Sequence, residues 1–157
     1  MADFCLTKLQ IKNYSLSVEK IMFEVLFYDL DYDYDELTRV VCVARFKDKW
    51  VFCKHKKRDS WELAGGHIEK GETWQETLKR EMFEETGAIK LEYNPIALYS
   101  ISSFGILCYV EIKEIGEIPE EFEIEKIGLF DEIPSNLTYP DTHKKMFEYV
   151  VEKLKNN

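Results

Sequence analysis

Residues 65–88, GGHIEKGETWQETLKREMFEETGA, constrain this chain more than any other stretch. Thr73 can cap a helix, and Glu76 follows three residues later, as a capping box requires. Gly87 suits a left-handed residue just past the last turn. The spacing therefore predicts a helix over Trp74–Thr86. At 3.6 residues per turn, Glu81, Glu84 and Glu85 share an arc of roughly 100°. Like charges three and four residues apart repel by about 0.2–0.5 kcal/mol per pair when exposed. Leu78 and Met82 lie beside the arc, so the acids are expected to border the core, where the repulsion grows and asks for a cation. Arg80 is the one cation near the arc and can pair with Glu76 or Glu84. A carboxylate cluster without His or Cys suits a hard ion, Mg²⁺ or Mn²⁺, better than zinc. Taken alone, the acids and Arg80 also describe an ordinary salt-bridged solvent face.

The rest of the chain sets limits on what such a helix serves. With 157 residues, the expectation is one domain, 1–157, with no linker and no repeat. Acids outnumber bases 30 to 21, for a net charge of −9. That balance argues against an anionic membrane surface and against a broad nucleic-acid footprint. No apolar run is long enough to span a membrane, and Met1–Gln10 lacks a basic and apolar leader. Cys5, Cys42, Cys53 and Cys108 form no C-x-x-C pair and are expected to be reduced and buried, which fits a cytoplasmic location.

Apolar runs place the other elements. Residues 18–28 read as a first strand. Val40–Phe46 and Trp50–Cys53 read as a hairpin around Lys47-Asp48-Lys49. Ile96–Ser102 and Ile106–Ile112 form a second pair, and Lys126–Phe130 one further strand. After Pro140, the residues Met146, Phe147, Val150, Val151 and Leu154 fall on one helical face. The fold class expected is α/β or α+β, layered. Residues 29–36, DLDYDYDE, fail as an EF-hand loop, because Tyr34 stands where glycine and Val40 where glutamate is required. They read as a solvated acidic turn.

The string from Gly66 to Ala88 resembles the Nudix box of the Nudix hydrolases. Gly66, Glu72, Arg80, Glu81, Met82, Glu84, Glu85, Gly87 and Ala88 occupy its defined positions. Ala88 is smaller than the usual aliphatic residue. Trp61–Gly65 looks like the family's lead-in, with Ala64 where proline is usual. The resemblance implies the Nudix fold, an α/β/α sandwich around a mixed β-sheet, with the box as loop–helix–loop. It implies divalent metal, Mg²⁺ with Mn²⁺ as an alternative, held by Glu81, Glu84, Glu85 and the backbone carbonyl of Gly65. Arg80 would orient the acids together with Glu72. The implied reaction is hydrolysis of the diphosphate of a nucleoside diphosphate linked to another moiety, by metal-activated water attacking phosphorus.

The base is left open between Glu81 and Glu123, with Glu120, Glu121 and Glu125 as rivals of Glu123. In the basic run Lys54–Arg58, Lys57 and Arg58 are the candidates for holding phosphates. His67, His55 and His143 are read as solvated rather than catalytic, and Phe104 and Tyr99 as core aromatics. A nucleoside triphosphate, oxidised or not, is the first choice of substrate. Nucleotide sugars, ADP-ribose, dinucleoside polyphosphates and 5′-triphosphate RNA are the alternatives, and the charge disfavours nucleic acid. Homodimers are common in the family, and nothing in the chain marks an interface. The competing reading is a non-catalytic Nudix domain that binds a nucleotide or a protein. Its usual mark is a lost box glutamate, and here none is lost.

Overall fold

A computed structural model describes residues 24–156. Seven strands form one mixed sheet: β1 (Leu26–Tyr28), β2 (Leu37–Phe46), β3 (Lys49–His55), β4 (Ala64–His67), β5 (Ala88–Ser100), β6 (Phe104–Ile115) and β7 (Ile124–Phe130). Among the described residues two helices cover it, α1 (Trp74–Thr86) and α2 (Pro140–Lys155). The strand order is β1-β5-β6-β2-β3-β7, and β4 pairs with β2 off that path. Among the described strands only β2 and β6 run parallel; every other pair is antiparallel.

Side-chain alternation along β2 builds both cores. Val40, Cys42 and Ala44 face the layer of Leu78 and Met82 from α1. Val43, with the partly buried Val41, faces the layer of Met146, Phe147 and Val150 from α2. The result is the expected α/β/α sandwich. The β2–β3 hairpin turns at Lys47 and Asp48, with φ of 48° and 62°. Two consecutive positive φ values give the turn whose twist matches the flanking strands.

Helix α1 has the expected bounds. Thr73 accepts from the Glu76 N–H, Glu76 returns a bond to the Thr73 N–H, and Gly87 closes the helix at φ 73°. Two strands differ from expectation. Residues 64–67, expected as loop, form β4, paired antiparallel with Arg39–Cys42. Strand β5 begins at Ala88 instead of Ile96, and its register shifts between Pro95 and Ala97. Pro95 has no N–H to give to a ladder, so a bulge is the natural accommodation. Of the strand expected at 18–28, residues 18–23 lie outside the described residues, as does Cys5. Cys42, Cys53 and Cys108 are free and buried. Residues 29–36 are exposed, as a solvated turn should be. Among the described residues, no helix is long and apolar enough to cross a membrane.

Candidate active site

The end of β2, strand β4 and the inner side of α1 meet at a cleft of about 560 Å³. One wall is acidic. Glu85 is half-buried, and its Oε2 accepts the Gly65 N–H at 2.9 Å. Burial is the main reason its pKa is pushed up to about 8, with Glu81 and Glu62 adding repulsion. Glu81 is buried, and burial raises its pKa even though Arg80 Nη1 donates to its Oε1 at 2.7 Å. Glu84 is more exposed and lies 3.5 Å from the same guanidinium.

Arg80 is itself held from the other side. Its Nε and Nη2 donate to the two oxygens of Glu72 at 2.7 and 2.9 Å, and Nη2 also reaches the His67 carbonyl at 3.1 Å. Bonds from Arg80 and Thr77 bring Glu72 down to a pKa of about 2. Arg80 thus bridges Glu72 and Glu81. It does not pair with Glu76, because the Glu76 carboxylate is taken up by Thr73 at the cap. Gly66 provides the space for Glu81: a Cβ there would sit 2.0 Å from Glu81 Oε1.

The opposite wall was not legible beforehand. Glu62, in the lead-in, is buried and ion-paired to Arg58. His55 Nε2 lies 3.6 Å from Glu62 and 3.8 Å from Glu85, while its Nδ1 lies 3.8 Å from Glu123. Arg58 sits over the Tyr139 ring, 5.7 Å from the centroid. His143 accepts the Leu63 N–H on its Nδ1 at 3.2 Å, and burial takes its pKa down to about 4.

Glu121, Phe122 and Glu123 close the third side. Their loop is tied down at several points. The Lys56 N–H donates to the Glu123 carbonyl at 2.9 Å, and the Gly116 N–H to that of Gly87 at 2.8 Å. Phe122 packs edge-on against Phe83 of α1 at 6.1 Å.

The structure therefore gathers Gly65, Arg80, Glu81, Glu84, Glu85, Arg58 and Glu123 around one cleft. Lys57 is exposed and is not among the lining residues. Of the rivals to Glu123, Glu121 lines the cleft, whereas Glu125 pairs with Lys54 at 3.5 Å. His67, Arg39, His55 and His143 also line it. Among the described residues, no three His, Cys, Asp or Glu side chains are already arranged to hold a metal ion. The donor set nonetheless suits a hard divalent cation. Glu81 is buried and Glu85 half-buried, and Gly66 leaves no Cβ against the Glu81 carboxylate.

Residues 34–107 match the NUDIX domain family model. The chain belongs to the Nudix family. Among Nudix relatives, it is 27% identical over 123 residues to YtkD of Bacillus subtilis, whose name assigns it provisionally as an 8-oxo-dGTP diphosphatase. That match covers 75% of each chain. It is 30% identical over 112 residues to an RNA pyrophosphohydrolase of Bartonella quintana, covering 69% of this chain and 64% of the relative. The crystal structure of a point variant of the Bacillus subtilis pyrophosphohydrolase BsRppH superimposes with a TM-score of 0.66 at 27% identity. That comparison covers 84% of this chain and 90% of the other.

Proposed function

We propose that this Nudix domain hydrolyses the diphosphate of a nucleoside diphosphate linked to another moiety, with a nucleoside triphosphate as the first choice of substrate. The observation that carries the reading is the pair of carboxylates Glu81, buried, and Glu85, half-buried, facing a cleft that also receives Arg58 and Glu123. Relatives named for diphosphatase and pyrophosphohydrolase activities support it.

Glu81, Glu84, Glu85 and the Gly65 carbonyl are the groups that would hold divalent metal, with Mg²⁺ as the proposed ion. Such a cation supplies charge neutralisation on the diphosphate and lowers the pKa of water. The chain's own residues do the rest. Arg80, anchored by Glu72, holds Glu81 in place. Arg58 presents its guanidinium to the phosphates, oriented by Glu62 and Tyr139. Lys57 stays a candidate for the same task from outside the cleft rim.

Glu123 is the better proton acceptor of the two candidates. Glu81 already shares an oxygen with Arg80, whereas the Glu123 side chain is exposed at the cleft. In the proposed step a water oxygen bonds to phosphorus, the bridging P–O bond breaks, and the proton goes to the Glu123 carboxylate. The leaving phosphate carries the electron pair away.

The test is a screen of nucleoside triphosphates, sugar nucleotides, ADP-ribose and dinucleoside polyphosphates with Mg²⁺ and Mn²⁺, read by product mass. Phosphate-bond cleavage that falls at least about a hundredfold in Glu84→Gln, with the fold intact, supports the reading. No cleavage across the panel would favour the non-catalytic alternative.

A further inference from the structure

Beside the cleft, on the α2 side of the sheet, lies a smaller cavity of about 190 Å³, lined by Arg39, Tyr99, Ser102, Ser103 and Thr38 among others. Arg39 and His67 line both spaces, so the two are adjacent.

Arg39 is exposed at the rim of this cavity and differs from the other arginines in its partners. The other three arginines each pair with a carboxylate: Arg45 with Asp48, Arg58 with Glu62, and Arg80 with Glu72. Among the described residues Arg39 has no such partner. Its Nε donates to His67 Nε2 at 3.0 Å, an acceptor that offers no charge in return.

A second polar group on the cavity wall makes no hydrogen bond to the described residues. Tyr99 is 3% exposed, yet its hydroxyl has no hydrogen-bond partner among the described residues. Gly105 makes room for it, since a Cβ there would lie 2.5 Å from the Tyr99 Oη. Thr38 Oγ1 donates to the Phe104 carbonyl and lies 2.7 Å from Ser103 Oγ, so Ser103 gives its proton to Thr38. Ser102, at the tip of the same turn, remains free to donate. A guanidinium and hydroxyl donors, with no carboxylate on the lining, select an anion of phosphate type.

The register says where that anion comes from. Val41 pairs with Gly65, and Arg39 lies two residues back along β2, roughly 7 Å at 3.3 Å per residue. Neighbouring phosphoryl groups of a polyphosphate share a single oxygen, so the cavity suits a phosphate set off by a spacer such as a ribose. We propose that Arg39, Tyr99 and Ser102 form an anion pocket for a second phosphoryl group of the nucleotide substrate, carried across the sugar from the diphosphate at the glutamates. This rests on the proposed function for the site of the diphosphate.

The test reads binding without turnover. Calorimetry compares a bis-methylene-bridged nucleoside 5′-triphosphate with its 3′-phosphorylated counterpart, and titrates inorganic phosphate separately. The expected result is at least tenfold tighter binding of the 3′-phosphorylated analogue, with the advantage falling below twofold in Arg39→Gln and shrinking several-fold in Tyr99→Phe. Circular dichroism checks that both variants fold. An advantage absent from the unmodified protein, or unchanged in both variants, overturns the proposal. So does inorganic phosphate binding alongside the plain analogue while the 3′-phosphate gains nothing, because the pocket would then serve a free anion. A chain that binds as expected but hydrolyses no nucleotide would refute the proposed function and leave the pocket standing.

Discussion

The Glu81 carboxylate lies where a side chain on Gly66 would begin: a Cβ added to Gly66 would lie 2.0 Å from Glu81 Oε1 and 2.3 Å from its Cδ. Gly66→Ala must therefore displace the carboxylate that Arg80 holds. A misplacement of about 1 Å at a reacting centre costs on the order of a hundredfold in rate. Turnover of Gly66→Ala is expected to fall by about that factor, measured by phosphate release. A variant within twofold of the parent would remove Glu81 from the machinery.

Arg80 reaches Glu72 through two nitrogens and Glu81 through a third. A lysine has one nitrogen and cannot span both partners. Arg80→Lys should leave folding intact and lower kcat by about 10–100-fold, the usual effect of losing a group that orients metal ligands. Steady-state kinetics beside a thermal melt checks this. A loss of Tm that tracks the loss of kcat would point to a purely structural role.

Glu85 gives a stability signature that depends on pH. Its pKa rises from 4.5 to about 8 in the folded chain, so the native state holds a proton that the unfolded state has released. The contribution is full below pH 4.5 and is lost as pH climbs through about 8. Without metal, Tm should fall over that window, and the fall should be shallower in Glu85→Gln. Mg²⁺ should restore more stability at pH 8 than at pH 6, because ligands must shed protons to bind it. Parallel melting curves for the two proteins would disprove the assignment.

Phe83 packs on Phe122, the residue before Glu123, at a position of the box that the family leaves undefined. Phe83→Ala frees one anchor of that loop and should lower kcat by about tenfold through misplacement, with KM little changed. Phe83→Tyr should keep the ring contact and the rate. If alanine and tyrosine behave alike, the contact has no bearing on Glu123.

The parts of the fold that could be read in advance are those whose causes lie close together in the chain. Helix α1 was legible to the residue because Thr73, Glu76 and Gly87 set its ends through local bonds. The same holds for the β2–β3 hairpin, fixed by a two-residue turn. Strand β4 was not legible: Ala64-Gly65-Gly66-His67 shows no alternation, and its reason to be a strand is Arg39–Cys42, far upstream. Pro95 similarly hid the first half of β5, since a proline argues against a strand until a bulge accommodates it.

The site divides in the same way. Glu81, Glu84 and Glu85 are brought together by helical pitch alone. Of the two partners that helical spacing offers Arg80, Glu84 lies 3.5 Å away and Glu76 does not pair, while Glu72, which the resemblance to the box implied, is folded back onto the guanidinium by the preceding loop. His55, Glu62 and Tyr139 meet only through tertiary structure. Nothing in a basic run marks His55 as a residue that turns inward among acids.

The lead-in to the box is clamped from two directions: Cys53 bridges Glu62, and Trp61 bridges Leu137. The second clamp joins positions separated by about half the protein, and the parallel β2–β6 ladder is comparably non-local. Helix α1 can coil as soon as it is made, but its acids acquire their lining only after those distant partners arrive. A ribosome must therefore deliver the chain almost to α2 before the first molecule is competent, and nascent fragments ending earlier should emerge with the box helix formed and the cleft still open.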